Sequence, residues 1–354
     1  MDIIELNFLK ELVNTASPSG FEEQNSKIWR EYLKNLDVNN KLSIDNDHYG
    51  NSFAVFNPDG EYSIMLCGHI DEIGLMVNYI NDEGYIYISK IGGIEDIILS
   101  SQRVIIHSKN GPVNGVIGRR PLHLSSPDDK EVKIHTLFVD IGAKDKEDAL
   151  KLVTVGDIIT LDVSYCELAN NIITARGLDD RTGAWVVAQV LKKLTEKNIY
   201  NIKVIGVATV QEENGLLGAQ MVSNINPNIA LAIDVTHATD VPDIPKEKHG
   251  ECKLGGGPVL SIGSSIHKKV NEILEQAAQN TNISIQKQIS PNYTGTDADS
   301  IFTKCGGIPT ALVSIPNRYM HSSVELIQLD DLENAVKLIV EFCELLDKKT
   351  DCRF

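Results

Sequence analysis

The chain has 354 residues, of which 42% are hydrophobic and 23% charged, so it can bury a sizeable core and belongs to neither the disordered nor the fibrous class. Asp and Glu outnumber Lys and Arg by 49 to 33, and the formal charge of -16 repels phosphate backbones and anionic lipids, which argues against nucleic-acid and membrane-surface binding. No apolar run approaches the roughly 20 residues that span a bilayer, and the acidic N-terminus lacks the basic region of a secretory signal. We therefore expect a soluble cytoplasmic protein. The six cysteines form no C-x-x-C pair, so neither a disulfide framework nor a thiolate zinc site is expected.

The N-terminal region is predicted to form two helices. Apolar residues recur with helical spacing over residues 6–13, and after a break at residues 17–20 a second helical segment covers residues 22–36. Ser19 and Glu22 have the spacing of a capping box, which predicts that Ser19 caps the second helix.

Four apolar runs further along the chain have the length and flanking residues of buried strands. They cover residues 63–67, 202–210, 229–233 and 309–314. Their apolar residues are continuous rather than alternating, which indicates a sheet covered on both faces. Helical patterns lie between and after them, over residues 185–197 and 329–346. This alternation of helix and strand predicts an α/β layer fold.

Residues 72–166 have a different pattern. Short β-like segments at residues 85–89, 103–107, 113–118, 132–139 and 157–161 are separated by Gly, Pro, Asn and Asp. No long amphipathic helix is predicted among them. We therefore expect a small β domain, a barrel or a sandwich, inserted into an α/β domain made of residues 1–71 and 167–354.

Acidic and histidine residues stand at the carboxyl ends of the predicted buried strands. They are His69, Asp71, Glu212, Glu213, Asp234 and His321. Ligands bind outside the carboxyl ends of the strands in open α/β sheets, so these side chains are expected to converge on one rim. Asp179 and Asp180 precede the helix at residues 185–197 and complete the set, because a helix N-terminus favours negative charge.

Each of these residues has an ordinary structural explanation when it is taken alone. An Asp-Asp pair before a helix is commonly a cap, a Glu-Glu pair is commonly exposed to solvent, and a single histidine is commonly a surface or core residue. The last explanation is expected to hold for His48, His107, His135, His249 and His267. Together, however, uncompensated carboxylates at the ends of buried strands cost several kcal/mol unless they are paired or bind a cation.

The composition of the set indicates which cation it would bind. Two imidazoles and several carboxylates without a thiolate are typical of Zn, Co or Mn sites rather than of Ca or soft-metal sites. The ligands exceed the three that one catalytic zinc needs, which indicates two metal ions bridged by one carboxylate. Asp71 lies two residues after His69 on an extended chain, so it could accept the proton of the far imidazole nitrogen.

The motifs around these residues are specific in order and spacing. They are G-H-I-D-E-I-G at 68–74, L-D-D-R at 178–181, Q-E-E-N-G at 211–215, D-V-T-H at 234–237, K-L-G-G-G-P at 253–258, G-T-D-A at 295–298 and R-Y-M-H-S at 318–322. With these motifs and its inserted β domain, the chain resembles the M42 metallopeptidases, the tetrahedral or glutamyl aminopeptidases of the dinuclear aminopeptidase clan, essentially from end to end. The fold is then expected to be dinuclear zinc-peptidase-like, with a mixed, mostly parallel sheet flanked by helices.

The resemblance also implies a role for individual residues. It assigns His69 and Asp234 to one metal ion, Glu213 and His321 to the other, Asp179 to the bridge, Glu212 to general base catalysis, and Gly295, Thr296 and Asp297 to the substrate pocket. It implies a cis bond between Asp179 and Asp180, and an assembly of dimers into dodecamers with the β domain near the dimer contacts. Asn214 and Leu217 replace an apolar residue and an arginine that are usual in the family.

The function that follows is metal-assisted hydrolysis of the N-terminal peptide bond of short peptides. Glu212 would take a proton from a metal-bridging water and pass it to the leaving amine. Three alternatives stay open: a related amidohydrolase or deacylase acting on acylated amino acids, an endoglucanase that pairs Glu212 with another carboxylate, and a non-catalytic scaffold. The presence of only 2 Trp argues against the endoglucanase, and the presence of Glu212 and Asp179 argues against the scaffold.

Overall fold

The strands of the described residues form one large sheet, one small sheet and one closed barrel. The computed structural model describes residues 1–37, 40–124, 131–197, 201–222 and 225–353. In chain order the strands are β1 (Leu42–Asn46), β2 (Ser52–Phe56), β3 (Tyr62–His69), β4 (Gly74–Ile80), β5 (Ile86–Ile91), β6 (Arg103–Ser108), β7 (Gly111–Arg119), β8 (Leu137–Asp140), β9 (Ile158–Leu161), β10 (Cys166–Glu167), β11 (Ile172–Ala175), β12 (Ile202–Thr209), β13 (Ile229–His237), β14 (Val259–Gly263), β15 (Gln286–Ser290), β16 (Thr310–Asn317) and β17 (Glu325–Gln328). The α-helices are α1 (Ile3–Asn14), α2 (Glu23–Leu36), α3 (Asp96–Leu99), α4 (Lys146–Leu150), α5 (Leu178–Thr195), α6 (Leu217–Met221), α7 (Lys246–His249), α8 (Lys268–Thr281), α9 (Asp297–Ile301) and α10 (Leu329–Leu345). None of the helices in these ranges combines the length and the apolar composition needed to cross a membrane.

The large sheet has eight strands in the order β1-β2-β12-β3-β13-β16-β14-β15. Its centre, from β12 to β16, is parallel, and so is the pair β14 and β15, whereas the other three pairings are antiparallel. β3 and β13 are buried along nearly their whole length, as expected for strands covered on both faces. The prediction of a mixed, mostly parallel sheet flanked by helices is confirmed.

The register of the central strands brings their carboxyl ends to one edge. His69, the last residue of β3, lies beside Thr209, the last residue of β12, and Asp234 of β13 lies beside Ser314 of β16. Helix α5 packs against β3, β12 and β13. Its N-terminal turn reaches the same edge, where the Asp180 carboxylate accepts a hydrogen bond from the backbone N–H of His69.

Two tryptophans fasten the N-terminal helices to α5. Trp29 of α2 donates its indole N–H to the carbonyl oxygen of Ala184 at 2.8 Å, and Trp185 of α5 donates to the carbonyl oxygen of Glu5 at 3.0 Å. Each indole buries its ring and satisfies its single polar atom at the same time. Helix α5, which carries the Asp-Asp pair, is thus held between the sheet and the N-terminal helices.

The inserted β region is a closed barrel with the strand order β4-β5-β8-β7-β6-β9 and a hydrophobic core of its own. The expected β domain is therefore a barrel rather than a sandwich. The prediction of a strand over residues 132–139 is partly wrong, because the strand observed there is Leu137–Asp140. Residues 134–136 form a 3₁₀ turn instead, and the N–H of Ile134 donates to the Asp96 carboxylate at 2.9 Å rather than to a strand partner.

The prediction that Ser19 caps the second helix is wrong. α2 begins at Glu23, and the Ser19 hydroxyl donates to Asp71 at 2.7 Å. Glu22 accepts the N–H groups of Gly20 at 2.7 Å and Gln211 at 3.0 Å. A buried carboxylate such as Asp71 gains more from a hydroxyl donor than an exposed helix end does, since its unmet hydrogen-bonding capacity would be costly.

Candidate metal centre

The structure brings all eight predicted rim residues together at the carboxyl edge of the central strands. They are His69 at the end of β3, Asp71 after it, Asp179 and Asp180 at the start of α5, Glu212 and Glu213 after β12, Asp234 in β13, and His321 in the turn between β16 and β17. Short distances between their polar atoms join them into one cluster. The cluster is mostly buried, and His321 is its most exposed member, with 34% of its side chain accessible.

The Asp-Asp pair begins α5 with a non-helical backbone and a cis peptide bond between Asp179 and Asp180, as expected. Asp180 accepts the backbone N–H of His69 at 3.1 Å with one oxygen and that of Gly183 at 2.9 Å with the other. A Cβ atom at Gly183 would collide with the Asp180 carboxylate and would lie 2.6 Å from the carbonyl oxygen of Ile233. Glycine at this position therefore lets α5 approach the end of β13.

His69 lies between three carboxylates. Its Nε2 is 3.1 Å from Asp179 Oδ1 and 3.8 Å from Glu212 Oε2, and its Nδ1 is 3.4 Å from Asp71 Oδ1. Burial alone would lower the pKa of His69, but the charge of Glu212, the hydrogen bond to Asp179 and the nearby carboxylate of Asp71 raise it well above its ordinary value. The surroundings of Nε2 thus favour positive charge.

Asp71 connects His69 to the pair of glutamates. It is fully buried and accepts the backbone N–H groups of Glu212 and Glu213, each at 3.1 Å. The same carboxylate lies 3.4 Å from Nδ1 of His69. It therefore favours the tautomer that carries its proton on Nδ1, which leaves Nε2 free as a ligand. Asp71 therefore orients one imidazole and the start of the Glu-Glu segment together.

His321 faces the second oxygen of Asp179. Its Nε2 is 3.2 Å from Asp179 Oδ2 and 3.4 Å from Glu213 Oε1. These contacts, that to Asp179 foremost, raise the pKa of His321 to about 11. Burial opposes ionisation of Asp179, but hydrogen bonds from both imidazoles lower its pKa. The two oxygens of one carboxylate thus lie between two imidazoles, which is the arrangement that a bridging ligand requires.

Glu325 supports this arrangement and was not predicted from the sequence. It lies in β17, is almost completely buried, and accepts the backbone N–H groups of Asp179 at 2.9 Å and of His321 at 3.0 Å. One carboxylate therefore holds the backbone of two neighbouring residues of the cluster. Glu325 belongs to none of the sequence motifs. It occupies a buried position in the alternating burial pattern of a short strand.

A buried cluster of ions involves residues next to those of the centre in the chain. The Glu72 carboxylate contacts the guanidinium groups of Arg176 and Arg181 and accepts the backbone N–H of Ser17 at 3.0 Å. Glu72 follows the strand that ends at His69, and Arg181 follows the Asp-Asp pair. We refer to Glu72, Arg176 and Arg181 as the ion triad, which connects the chain segments on the two sides of the centre.

The charges of the remaining carboxylates are poorly compensated. Burial raises the pKa of Glu212 to about 10, with His69 acting in the opposite direction and Asp234 and Asp297 adding to the effect. Burial also raises the pKa of Asp234 and of Glu213. Buried carboxylates that resist ionisation together are the surroundings in which a divalent cation is most strongly stabilised.

The residues present fit a metal centre. The ligand atoms of His69, Asp179 and Glu213 lie within 4.8 Å of one another, and so do those of His69, Asp180 and Asp234. Both oxygens of Asp180 already accept backbone N–H groups, which leaves Asp234 as the carboxylate of the second group that is available to an ion. Oε1 of Glu213 is buried and makes no hydrogen bond among the described residues, and its nearest cationic neighbour is Nε2 of His321, another proposed ligand, at 3.4 Å. Such an oxygen is the vacant ligand atom expected at a metal site.

The three residues predicted to line the substrate pocket have different surroundings. Asp297 is buried and accepts the hydroxyl of Thr209, the neighbour of His69 in the sheet, at 2.6 Å. Thr296 is the N-cap of α9, and Gly295 is exposed and donates its N–H to Asp299 at 2.8 Å. Of the three, Asp297 is thus the one tied to the metal-site edge.

Comparison with known proteins identifies the family. The model of the M42 peptidases, the M42 glutamyl aminopeptidase family, matches residues 50–338. A putative aminopeptidase from Acetivibrio thermocellus is 37% identical over 342 residues, which cover 95% of this chain and 97% of the relative. The chain belongs to the M42 family.

Solved structures of TET peptidases share the whole architecture. A TET aminopeptidase from a marine sediment Thaumarchaeota archaeon has a TM-score of 0.92 and 32% sequence identity, and the match covers 98% of this chain and 97% of that one. The TET1 peptidase of Pyrococcus horikoshii has a TM-score of 0.82 and 32% identity over 97% of this chain and all of its own. That protein can assemble into a tetrahedron or a large octahedral shell. The resemblance read from the motifs is therefore confirmed at the level of family and fold.

Proposed function

We propose that this chain is a metal-dependent aminopeptidase that removes the N-terminal residue of short peptides, with two divalent ions, Zn, Co or Mn, in each subunit. The observation that carries the proposal is the position of Asp179, whose oxygens lie 3.1 Å from His69 Nε2 and 3.2 Å from His321 Nε2. A carboxylate between two imidazoles has the geometry of a bridge between two ions.

The proposed ligands are grouped around that bridge. His69 and Asp234 would hold one ion, Glu213 and His321 the other, and Asp179 both. When bound, such ions supply Lewis-acid activation of a water nucleophile and of the scissile carbonyl. Asp71 would keep the His69 ring in the tautomer that leaves Nε2 free, and Asp180 would hold the backbone beside it.

Glu212 is the general base in this proposal. Its carboxylate is 3.8 Å from Nε2 of His69 and almost completely buried, and its backbone is held by Asp71 at 3.1 Å. Burial disfavours the ionised form of Glu212, and bound divalent ions would favour it by their positive charge. The carboxylate would then take a proton from the attacking water and pass that proton to the amine nitrogen as the peptide C–N bond breaks. Proton uptake and release by one carboxylate leave the enzyme unchanged after each turnover.

A free α-amine suits the acidic rim. An ammonium group gains from nearby carboxylates in a partly buried site, and the buried carboxylate of Asp297 adjoins the rim through Thr209. Gly295, Thr296 and Asp297 would line the pocket for the first side chain. This combination supports removal of single residues from the N-terminus rather than cleavage within a chain.

The proposal assigns different roles to two parts of the chain. Residues 1–71 and 167–354 would form the catalytic domain, and residues 72–166 an inserted domain for assembly and for access to the cleft. The inserted region exposes Ile97, Val116 and Val155 at 68%, 49% and 62%, and these apolar side chains would be available to a contact between subunits. Dimers that assemble into a dodecamer are the proposed state, in line with the assemblies of the TET1 relative. The six free cysteines support a reducing, cytoplasmic location.

A substrate screen tests the proposal. Protein loaded with Zn, Co or Mn is offered a set of aminoacyl amides and, as matched controls, the same compounds with an acetylated α-amine. We expect cleavage of the free amines only, and the ranking of first residues gives the specificity. Cleavage of the acetylated compounds in preference to the free amines would support the amidohydrolase alternative and contradict the aminopeptidase.

A further inference from the structure

The barrel reaches the candidate metal centre through two glycines, Gly92 and Gly93. They follow β5 directly, and the residues on either side of them belong to the barrel. Ile91 pairs with Gly74 of β4, and Ile94 is part of the barrel core. The position of the two glycines is therefore set by the barrel rather than by the large sheet.

Neither glycine leaves ordinary space for a side chain. A Cβ atom on Gly93 would lie 2.9 Å from Nδ1 and 3.1 Å from Cε1 of His321. One on Gly92, which has a left-handed backbone with φ of 73°, would lie 2.8 Å from Cγ2 of Ile73, 3.2 Å from Cβ of Glu213 and 3.4 Å from Oε2 of Glu213. Favourable contacts between heavy atoms begin at about 3.5 Å. Glu213 and His321, one beside each glycine, are the proposed ligands of one and the same metal ion.

The ring of His321 is confined on two edges. Its Nε2 edge faces Asp179 and Glu213, and its Nδ1 edge lies against Gly93. Its backbone is fixed as well, since its N–H donates to Glu325 at 3.0 Å and its φ is 61°. A displacement of the barrel backbone at Gly93 toward the ring would therefore push the ring against its carboxylate partners or turn it away from them.

We propose that Gly93 is a positioning residue, through which the barrel sets the orientation of the His321 imidazole and thereby the occupancy of the second metal site. This inference rests on the proposed function, because it takes His321 as a ligand. An ion bound by His321 then stabilises the docked barrel, and the docked barrel strengthens the binding of that ion by the same factor. The barrel becomes part of the metal site in addition to any role in assembly.

The test compares Gly93→Ala with Gly118→Ala. A Cβ atom at Gly118 would meet Cε2 of Phe138 at 3.0 Å, so the control adds the same methyl group, at nearly the same distance from an aromatic ring in the same barrel, away from the centre. Metal content after dialysis and thermal unfolding are measured. Gly93→Ala should lose one of the two ions, with a fall in affinity of about 10-fold or more, and Gly118→Ala should keep both. Two bound ions in Gly93→Ala, or equal losses in the two variants, would overturn the proposal.

A double variant separates the ring contact from general damage to the barrel. His321→Ala should lose the same ion, and adding Gly93→Ala should then change neither metal content nor melting temperature, because the ring is gone. If Gly93→Ala alone does not fold, the double variant should fold, and a double variant that fails to fold overturns the proposal. Two ions in His321→Ala would contradict the ligand set of the proposed function. One ion in His321→Ala with two in Gly93→Ala would contradict this inference alone.

Discussion

Replacing Glu72 by glutamine tests how strongly the ion triad stabilises the protein. The substitution keeps the shape of the side chain but leaves the buried guanidinium groups of Arg176 and Arg181 without a counter-charge. Removing one partner of a buried ion pair costs about 3–5 kcal/mol. With an unfolding entropy of about 2.1 cal/mol/K per residue over the 354 residues, the melting temperature should fall by about 4–7 °C.

Scanning calorimetry of metal-free protein measures this fall without a contribution from metal release. The matched control is Glu272→Gln, which removes an exposed carboxylate 3.9 Å from Lys268 on the surface of α8. Exposed pairs of this kind contribute about 0.5 kcal/mol or less, so the control should melt within about 1 °C of the wild type. A Glu72→Gln variant that melts with the control would show that the two arginines do not depend on Glu72.

The same variant has a predicted pH dependence. Burial alone would raise the pKa of Glu72, but the charges of Arg176 and Arg181 lower it below its ordinary value of 4.5. A carboxylate whose pKa is lowered in the folded state stabilises the fold at every pH above its pKa in the unfolded chain. This stability is lost as the pH falls through the pKa of the folded state. The difference in melting temperature between wild type and Glu72→Gln should be full at neutral pH and narrow below pH 4.5. A difference that grows in acid would contradict the role of the charge.

The proposed centre leads to three more expectations. Glu212→Gln should keep both ions and lower kcat by roughly 10²-fold or more, and near wild-type turnover would exclude Glu212 as the base. Asp179→Asn should lose metal on dialysis, whereas Asp180→Asn should keep it with reduced activity, so full occupancy in Asp179→Asn would contradict the bridge. Chelation should loosen a dodecamer toward dimers in light scattering, because bound ions stabilise the loops of the centre, and a metal-loaded monomer would contradict this.

The centre of the fold was predictable from local patterns. The apolar runs at residues 63–67 and 229–233 correspond to Tyr62–His69 and Ile229–His237, and the helical pattern at residues 329–346 corresponds to Leu329–Leu345. Strands covered on both faces leave a continuous apolar signal, and a long helix on a core leaves a periodic one. Both predicted strands end before the observed ones, because the last residues of the observed strands include the polar residues of the centre.

The edges of the sheet were not predicted. β1 and β15 expose much of their length, and their sequences, L-S-I-D-N and Q-K-Q-I-S, contain few apolar residues. Each gains its strand conformation by hydrogen bonding to an already formed neighbour, β2 for the one and β14 for the other. Pairing of this kind depends on the neighbour, so it leaves little signal in the strand's own sequence.

The sequence alone determined which chemical groups gather at the centre, because histidines and acids at the ends of buried strands must share one edge of the sheet. Tertiary structure decided how they are held. Glu325 binds the backbone of Asp179 across 146 residues of chain, and a Cβ atom on Gly93 would lie 2.9 Å from the ring of His321. Sequence patterns report burial and local backbone preference. The direction of a carboxylate oxygen, or the space beside a ring, arises only when distant segments pack together.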